Sequence, residues 1–322
     1  MGGQTGSALA NACIEEVEKI IIGKRRQISY MMMAILAGGH ILLEDLPGSG
    51  KTTLVRTLSA VLGCDYRRIQ FTPDLLPSDI TGMNIYDQRT GDFRFVEGPV
   101  NSHILLADEI NRAIPRTQAA LLEAMEERQV TVDGESHPLP RPFFVMATQN
   151  PVESESTFHL PAAQMDRFFV RLSLGYPTAE EEVQMLTSLG DGTDYGILRQ
   201  VASPEQLLGA WREQEGIFVS DYVKAYMVEL VHRTRGHRLL KYGASPRASR
   251  SLYQGGKAWA LLKGREYVTP EDVQEIALPI LSHRILLTSE ARFNGKVPEQ
   301  VMEEIIRECP VPPREGELFG GK

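Results

Sequence analysis

The sequence is poor in cysteine and has no long apolar runs, and each shortage excludes a class of protein. Its 322 residues include three cysteines, Cys13, Cys64 and Cys309, which are odd in number and far apart. A disulfide framework or a zinc site is therefore not expected, and a reducing cytoplasm fits. The longest apolar runs, such as YMMMAILAGG, are too short to span a bilayer, and the N-terminus does not show a signal-peptide pattern. We therefore expect a cytoplasmic protein without direct insertion into a membrane.

The sequence also lacks an excess of basic residues. Lysine and arginine number 34 against 42 aspartates and glutamates, which gives a formal net charge of -8. A broad nucleic-acid-binding surface is therefore not expected, although an acidic total can hide a local basic patch. The length favours one large domain with a smaller one, or two comparable domains.

Strand-like and helix-like segments alternate in the first half of the chain, which is typical of an α/β sheet. The strand candidates are near-continuous apolar runs, as parallel strands covered on both faces require. They are HILLEDLP from His40, YRRIQFT from Tyr66, HILLADE from His103, PFFVMATQ from Pro142 and FFVRLSL from Phe168. Two further segments predict hairpins, one turning at Gly91 and one at Asp133-Gly134.

Helix starts replace strands after Pro177. Thr178, Ser203 and Thr269 each begin the sequence pattern of an N-capped helix. We therefore predict an α/β domain over 1–177 that carries both hairpins, an all-helical domain over 178–290 and a C-terminal tail over 291–322.

The segment LLEDLPGSGKTTL, residues 42–54, resembles a phosphate-binding loop with one departure. Asp45 stands where the pattern G-x-x-x-x-G-K-[S/T] has its first glycine. The other parts are present, because the later glycines let the backbone approach phosphates, Lys51 can reach the β and γ oxygens, and Thr52 can ligate Mg²⁺. The predicted nucleotide contacts in this loop are Pro47, Gly48, Ser49, Gly50, Lys51, Thr52 and Thr53.

Polar side chains end two of the predicted strands. Asp108 and Glu109 end HILLADE, and they fit the carboxylate near Mg²⁺ and the base that orients water in a phosphate-loop hydrolase. Asn150 ends PFFVMATQ, where its amide can contact the attacking water or the γ-phosphate. An Asn-Pro pair is also common in turns, so Asn150 alone decides nothing.

Two arginines occupy positions that suit a role at a domain edge. Arg167, in LPAAQMDRFF, lies between a helix and a strand, and an arginine there can enter a neighbouring subunit's site. Such a residue contributes roughly 10³–10⁵ in rate where it stabilises transferring phosphate. Arg247, in GASPRAS, follows Ser245 and Pro246, which fix a helix start and suit a cation that responds to the nucleotide. Either arginine could instead be solvated or locally paired.

The order of these motifs resembles an AAA+ ATPase, and longer strings resemble the MoxR family. The strings are RIQFTPDLLPSDITG, ADEINRAIPRTQAALLEAMEERQVTVDG, PFFVMATQNPVE and YGASPRAS, and the resemblance extends from about Val17 to Leu287. It implies an AAA+ P-loop NTPase core with a five-stranded parallel sheet, followed by a small all-helical lid domain. The two hairpins would be the helix-2 insert and the hairpin before sensor 1.

The resemblance also implies an activity and a role for each candidate residue. It implies hydrolysis of ATP with Mg²⁺, by a chaperone-like factor that remodels or assembles partner proteins. Guanine is not expected, because the chain has no Asn-Lys pair for an N-K-x-D reader. The implied roles are Walker A for Lys51 and Thr52, Walker B for Asp108 and Glu109, sensor 1 for Asn150, arginine finger for Arg167, sensor 2 for Arg247, Mg²⁺ ligation for Thr52 and Asp108, and adenine contact for Ile22 and Gly23.

Partners follow from the same resemblance. It implies self-association into a ring, expected to be a hexamer, and a partner protein with a von Willebrand factor A domain. The family's usual GTYPLPEAQLDRF reads STFHLPAAQMDRF here, so Ser156 and Ala162 replace a glycine and a glutamate. That change puts the contact between subunits in doubt. Whether Arg247 acts on its own nucleotide or on a neighbour's stays open.

Three alternative functions use most of the same motifs. A nucleic-acid motor is disfavoured because the hairpin over 130–139 offers Asp133, Glu135 and His137 in place of basic side chains. A magnesium-chelatase ATPase subunit has the same parts, but FTPDLLPSDITG and GASPRAS favour the MoxR family. A nucleotide-gated scaffold that binds ATP with little turnover is disfavoured by the intact Glu109.

Overall fold

The strands of the α/β region belong to one central sheet and two hairpins. The computed structural model describes residues 5–45, 48–150, 158, 160–189 and 195–311. The strands before Pro177 are β1 (Ile41–Glu44), β2 (Tyr66–Gln70), β3 (Gly82–Asp87), β4 (Asp92–Glu97), β5 (Ile104–Asp108), β6 (Gln129–Val132), β7 (Glu135–Pro138), β8 (Phe144–Gln149) and β9 (Val170–Leu172). Five of them form a sheet in the order β2-β5-β8-β1-β9, and all neighbours are parallel. The five-stranded parallel sheet is thus confirmed.

Helices cover both faces of this sheet. They are α1 (Gly6–Glu18), α2 (Arg25–Leu36), α3 (Lys51–Leu62), α4 (Pro77–Thr81), α5 (Pro115–Glu127) and α6 (Ala162–Met165). Alternate strand residues face opposite sides: Leu106 packs in the core with α1, α2 and α3, whereas Leu105 packs in the core with α5. Burial on both faces explains why the inner strands β1, β5 and β8 read as continuous apolar runs, whereas the edge strand β2 is partly exposed.

The two hairpins lie against each other. β3 pairs with β4 and β6 pairs with β7, each antiparallel, so both predicted hairpins are confirmed. Asn84 Nδ2 donates to Asp133 Oδ2 at 2.8 Å, and the rings of Phe95 and His137 stack with centroids 3.9 Å apart. The far end of β3–β4 exposes apolar surface, because Phe93 keeps 72% of its accessible area.

The region after Pro177 is mostly helical. Its helices are α7 (Ala179–Leu189), α8 (Pro204–Gly216), α9 (Asp221–Gly236), α10 (Pro246–Leu262), α11 (Pro270–Leu281), α12 (Ser289–Phe293) and α13 (Pro298–Glu308). The predicted caps are present, since the hydroxyls of Thr178, Ser203 and Thr269 each accept a backbone N–H three residues on. Helices α8 to α11 share one apolar core with α1 to α3.

Two details differ from the sequence expectation for this region. A short antiparallel ribbon, β10 (Leu240–Tyr242) and β11 (Leu286–Leu287), adds strands to a domain expected to be all-helical. Helical packing also continues past 290, because Val301, Met302 and Ile305 of α13 are buried in the same core. The described residues include no helix with the length and apolarity needed to cross a membrane. Pro47, Ser156 and residues 312–322 lie outside the described residues.

Candidate active site

The phosphate loop connects the end of β1 to the first residue of α3. The backbone at Gly48 and Gly50 is left-handed, with φ of 82° and 81°, a conformation that favours glycine. A Cβ atom built at either glycine would meet no heavy atom within 4 Å. The backbone therefore borders open space at the N-terminus of α3, where the first backbone N–H groups of a helix and its dipole favour an anion. This geometry fits a phosphate group.

A cavity of about 390 Å³ lies over this loop and over the carboxyl ends of β5 and β8. It brings together most of the candidate residues selected from the sequence. Lys51 lines the cavity, and its Nζ donates to the backbone oxygen of Asp45 at 3.0 Å and to Ser49 Oγ at 3.3 Å. The residues that line the cavity are Asp45, Gly48, Ser49, Gly50, Lys51, Thr52, Thr53, Asp108, Glu109, Thr148, Gln149 and Asn150.

Asp45 has a structural task that the loop pattern does not reveal. Its carboxylate accepts hydrogen bonds from Ser173 Oγ at 2.7 Å, Leu174 N at 2.7 Å and Gly175 N at 3.0 Å. The residue is 5% exposed, so these three donors replace the water that a buried carboxylate loses. Asp45 thus ties the start of the phosphate loop to the chain that leaves β9 for the helical region.

Asp108 is held at the end of β5 by neighbours on both sides. Its Oδ1 accepts from Thr148 Oγ1 at 2.6 Å, and its Oδ2 accepts from Arg68 Nη2 at 2.6 Å. Thr148 lies on β8 and Arg68 on β2, the two strands that flank β5 in the sheet. The order of the sheet therefore fixes the direction of this carboxylate.

Glu109 follows directly in an unusual backbone conformation. Its φ of 57° and ψ of 50° are left-handed, which costs a non-glycine residue energy and is concentrated at functional sites. Its N–H donates to Thr148 Oγ1 at 2.8 Å. Its Oε2 accepts from Gln70 Nε2 at 2.7 Å and from Arg112 Nη1 at 2.9 Å. The turn directs Glu109 away from the strand and into the cavity lining.

The oxygen ligands at this cavity suit Mg²⁺. Thr52 supplies a hydroxyl and Asp108 a carboxylate, and both line the cavity. No cluster of three or more His, Cys, Asp or Glu side chains within the described ranges could hold a metal by itself. A site with so few protein ligands fits Mg²⁺, which usually keeps several waters and binds substrate phosphates.

An adjoining pocket of about 160 Å³ shares Gly48, Ser49, Gly50 and Thr53 with the phosphate cavity. Its other walls are mainly apolar and come from Ile20, Ile21, Ile22, Leu174, Pro177 and Met185. Of the two residues predicted to contact adenine, Ile22 lines this pocket. Gly23 does not, and a Cβ there would lie 1.9 Å from Glu181 Oε1. The pocket offers a mainly apolar surface beside the phosphate loop.

The two predicted arginines lie together, away from this cavity. Arg167 Nη2 is 3.1 Å from Glu126 Oε2, and Arg247 Nη2 donates to Glu126 Oε1 at 2.5 Å. Neither arginine is among the residues that line the phosphate cavity or its adjoining pocket. Within one copy of the chain, the candidate residues thus form two separate groups.

Comparison with known proteins identifies the family. Residues 40–170 match the family model described as ATPase family associated with various cellular activities (AAA), and residues 232–305 match the AAA lid domain. The protein called Chaperone MoxR1 of Mycobacterium tuberculosis is 40% identical over 324 residues, which cover 97% of this chain and 85% of that protein. The chain belongs to the MoxR family of AAA+ ATPases.

Two further relatives match this MoxR-family chain over almost its whole length. The uncharacterized protein YeaC of Bacillus subtilis is 46% identical over 304 residues, which cover 94% of this chain and 95% of YeaC. The crystal structure of a presumed ATPase from Cytophaga hutchinsonii is 40% identical, with a TM-score of 0.88 and 96% of each chain covered. This chain and the solved Cytophaga hutchinsonii chain therefore share the AAA+ fold and its mostly helical lid.

Sequence reasoning missed the residues that orient the candidates. Arg68, Gln70 and Thr148 hold the two Walker B acids, and Glu126 holds the two arginines. Their contacts join residues 39 to 121 positions apart in sequence, so no local motif reveals them. Glu126 stands in the string LLEAMEE, where it reads as an ordinary exposed helix residue.

Proposed function

We propose that this MoxR-family chain hydrolyses ATP to ADP and phosphate, and that a second copy of the chain completes its active site. The observation that carries this proposal is the division of the candidate residues. One cavity is lined by the phosphate loop, Asp108, Glu109 and Asn150. Arg167 lies outside this cavity and forms an ion pair with Glu126. Within the described residues, the candidate nucleotide contacts of one subunit thus lie together, whereas neither Arg167 nor Arg247 lines their cavity.

The residues of the cavity suit an in-line attack by water on the γ-phosphorus. The carboxylate of Glu109 would orient that water and take its proton as the new P–O bond forms. The bond from the γ-phosphorus to the bridging oxygen then breaks, and ADP leaves with the electron pair. Lys51 and the loop amides offset the charge on the phosphate oxygens. Asn150 would hold the water from the other side.

Mg²⁺ bound by Thr52 and Asp108 would supply further positive charge to the phosphates and fix their orientation. The protein's own part is to hold these two oxygens in place. For Asp108 that is done by Thr148 and Arg68. Adenine would occupy the apolar pocket beside Ile22.

We further propose that the assembled form is a ring, most simply a hexamer, that remodels partner proteins in the cytoplasm. The relative named Chaperone MoxR1 supports a remodelling role. The family resemblance points to a partner with a von Willebrand factor A domain. Such a partner is expected to co-purify with the Glu109→Gln variant in ATP and to be released in ADP. Equal retention in both nucleotides would count against this choice of partner.

The test of ATP hydrolysis in an assembly is the rate per subunit over a wide range of protein concentration. We expect the rate to rise as copies associate and to reach a plateau, with light scattering following assembly in the same samples. Glu109→Gln should bind ATP and assemble but turn over at least about 100-fold more slowly, because the water loses its base.

A rate per subunit that stays constant on dilution to the monomer would overturn the requirement for a second copy. Hydrolysis that survives in Glu109→Gln would show that the activity belongs to a contaminant or to another base. A wild type that binds ATP, assembles and stays idle at every concentration would favour a nucleotide-gated scaffold.

A further inference from the structure

One carboxylate joins the two arginines that the phosphate cavity lacks. Glu126, near the end of α5, gives one oxygen to Arg167 and the other to Arg247. Arg167 lies between α6 and β9 in the α/β region, whereas Arg247 lies in the first turn of α10 in the lid. Glu126 therefore bridges the two domains as well as the two charges.

A second carboxylate, that of Asp166, also connects the segments that carry Arg167 and Arg247. Asp166, directly before Arg167, accepts from Ser245 Oγ at 2.8 Å, and Ser245 caps α10 by accepting from Arg247 N at 3.2 Å. Asp166 also accepts from Arg284 Nη1 at 2.6 Å. Burial lowers the pKa of Arg284 to about 10, so this arginine still carries its charge at neutral pH. The backbone on both sides of the arginine pair is thus anchored.

The tips of the cluster are exposed, in contrast to its base. The side chains of Arg167 and Arg247 keep 31% and 43% of their accessible area, whereas Arg284 keeps 2%. The close contact of each guanidinium with Glu126 is made by its Nη2. Its remaining N–H groups can therefore reach the phosphate oxygens of another molecule.

Two guanidinium groups at such close quarters repel each other unless an anion lies between them. We propose that Glu126 is a positioning residue that holds Arg167 and Arg247 as one unit for the nucleotide bound by a neighbouring copy. The inference rests on the proposed function and adds to it a residue and a direction. Both arginines of one copy serve the neighbour's site, and Glu126 acts only through them.

A mixing experiment tests the direction. At an ATP concentration that saturates only an intact phosphate loop, Lys51→Ala subunits stay largely empty but keep their arginines. Arg167→Ala subunits bind ATP under the same condition but lack the finger. Each variant alone should be inactive, and a mixture should recover activity at interfaces where the first serves the second. Glu126→Gln is then added to one partner at a time.

We expect Glu126→Gln in the Lys51→Ala partner to lower kcat of the mixture about 10-fold, because misplaced groups lose most of their effect on a transition state. KM for ATP should stay the same, since the ATP-binding subunit is untouched. Glu126→Asp should restore part of the rate. The same Glu126→Gln change in the Arg167→Ala partner should cost little, because the arginines of that partner serve no occupied site.

Glu123→Gln is the matched control. Glu123 lies one turn earlier on α5, is exposed, and forms no ion pair with any residue in the described ranges. It should leave the rate of the mixture unchanged, and all variants should keep their melting temperature and their assembly by light scattering. An equal loss from Glu126→Gln in either partner would indicate a general structural role and overturn the inference.

The outcomes separate the inference from the proposed function. Recovery in the mixture with no effect of Glu126→Gln in the Lys51→Ala partner leaves the function in place and removes the role of Glu126. No recovery in the mixture, with a wild type whose rate depends on concentration, shows that the arginines do not act across the interface and also overturns the inference. A wild type active as a monomer contradicts the proposed function itself.

Discussion

The phosphate cavity and the arginine cluster are built in different ways. The cavity is held by strand ends, a helix start and short hydrogen bonds from neighbouring strands, such as those from Thr148 and Arg68 to Asp108. The arginine cluster is held by one exposed carboxylate that bridges two domains. The first arrangement exists in every copy regardless of its surroundings. The second leaves both guanidinium groups partly exposed, and under the inference above a neighbouring copy would use them.

The largest effect is expected from the removal of Arg167, the candidate arginine finger, and it should distinguish the two regions. Arg167→Ala should lower the plateau rate of the assembled protein by about 10³-fold, because an uncompensated negative charge remains on the transferring phosphate. Nucleotide affinity of the dilute subunit should not change, since Arg167 does not line its own cavity. Isothermal titration on dilute protein and steady-state kinetics on concentrated protein together give both values. A matching loss of affinity in the dilute subunit would place Arg167 at its own nucleotide.

Lys51→Ala is the converse change within the cavity. It should weaken ATP binding by the dilute subunit by about 100-fold, because a charge-assisted hydrogen bond to phosphate is lost in a confined site. Arg56→Ala, on the same helix, serves as a control for loss of positive charge. Arg56 stacks on the ring of Tyr195 at 4.2 Å and does not line the cavity. Equal losses in both variants would reduce the effect of Lys51 to general electrostatics.

Low pH should destabilise the fold through the protonation of His40. His40, at the start of β1, accepts from Val145 N at 2.9 Å, so its other nitrogen carries the proton and donates to Met125 O at 3.1 Å. Burial and the charge of Arg128 lower the pKa of His40 to about 4, although the hydrogen bond to Met125 opposes them. Between pH 6.5 and 4 the unfolded chain therefore binds more protons than the folded chain. The free energy of unfolding decreases as the pH is lowered through that window. The total loss is about 3 kcal/mol.

Denaturant unfolding at a series of pH values checks this expectation. His40→Gln should flatten the dependence between pH 6.5 and 4 but not abolish it. Burial and Arg284 also lower the pKa of His283, which bonds to Phe168 O at 3.0 Å, and this residue acts in the same direction. A dependence that is unchanged in His40→Gln would assign the acid sensitivity elsewhere.

The smallest of these effects concerns the link between phosphate loop and lid. Asp45→Asn should destabilise the fold by about 2 kcal/mol, because the amide can serve only part of the three donors that the carboxylate satisfies. Asp45→Gly restores the usual loop pattern and should destabilise at least as much. Urea unfolding at neutral pH measures both. A glycine variant as stable as the wild type would mean that Ser173, Leu174 and Gly175 find other partners.

Much of the fold could be predicted because its signals are local. Continuous apolar runs indicate parallel strands, and Thr178, Ser203 and Thr269 mark helix starts through their own hydroxyls. The ribbon β10–β11 was missed because strands of three and two residues carry too little pattern. The helix α13 was missed because the proline and glycine residues near the end of the chain favoured a tail over a helix. Its buried face depends on contacts with α9 and α11, which the sequence does not display.

The candidate site divides in the same manner. Residues of the phosphate cavity could be selected because each ends a strand or begins a helix, and parallel strands bring such ends together. The partners of Asp45 and the shared use of Glu126 could not be predicted, because both depend on contacts between residues far apart in the chain. Ser173 is 128 positions from Asp45, and Arg247 is 121 positions from Glu126. Charge and spacing give no indication of which of three nearby glutamates on α5 meets an arginine.

The turn after α5 places the arginine cluster and the paired hairpins within a few residues of each other along the chain. The helix ends at Glu127, Arg128 turns the chain with φ of 54°, and β6 begins at Gln129. Arg128 is itself secured, since it donates to Gly38 O at 3.0 Å and lies over the ring of Trp211. Glu126 thus lies three residues before Gln129, the first residue of the hairpin strand β6. Under the proposed function, a load that a bound protein places on the paired hairpins and a change at the arginine cluster would therefore act on the same end of α5.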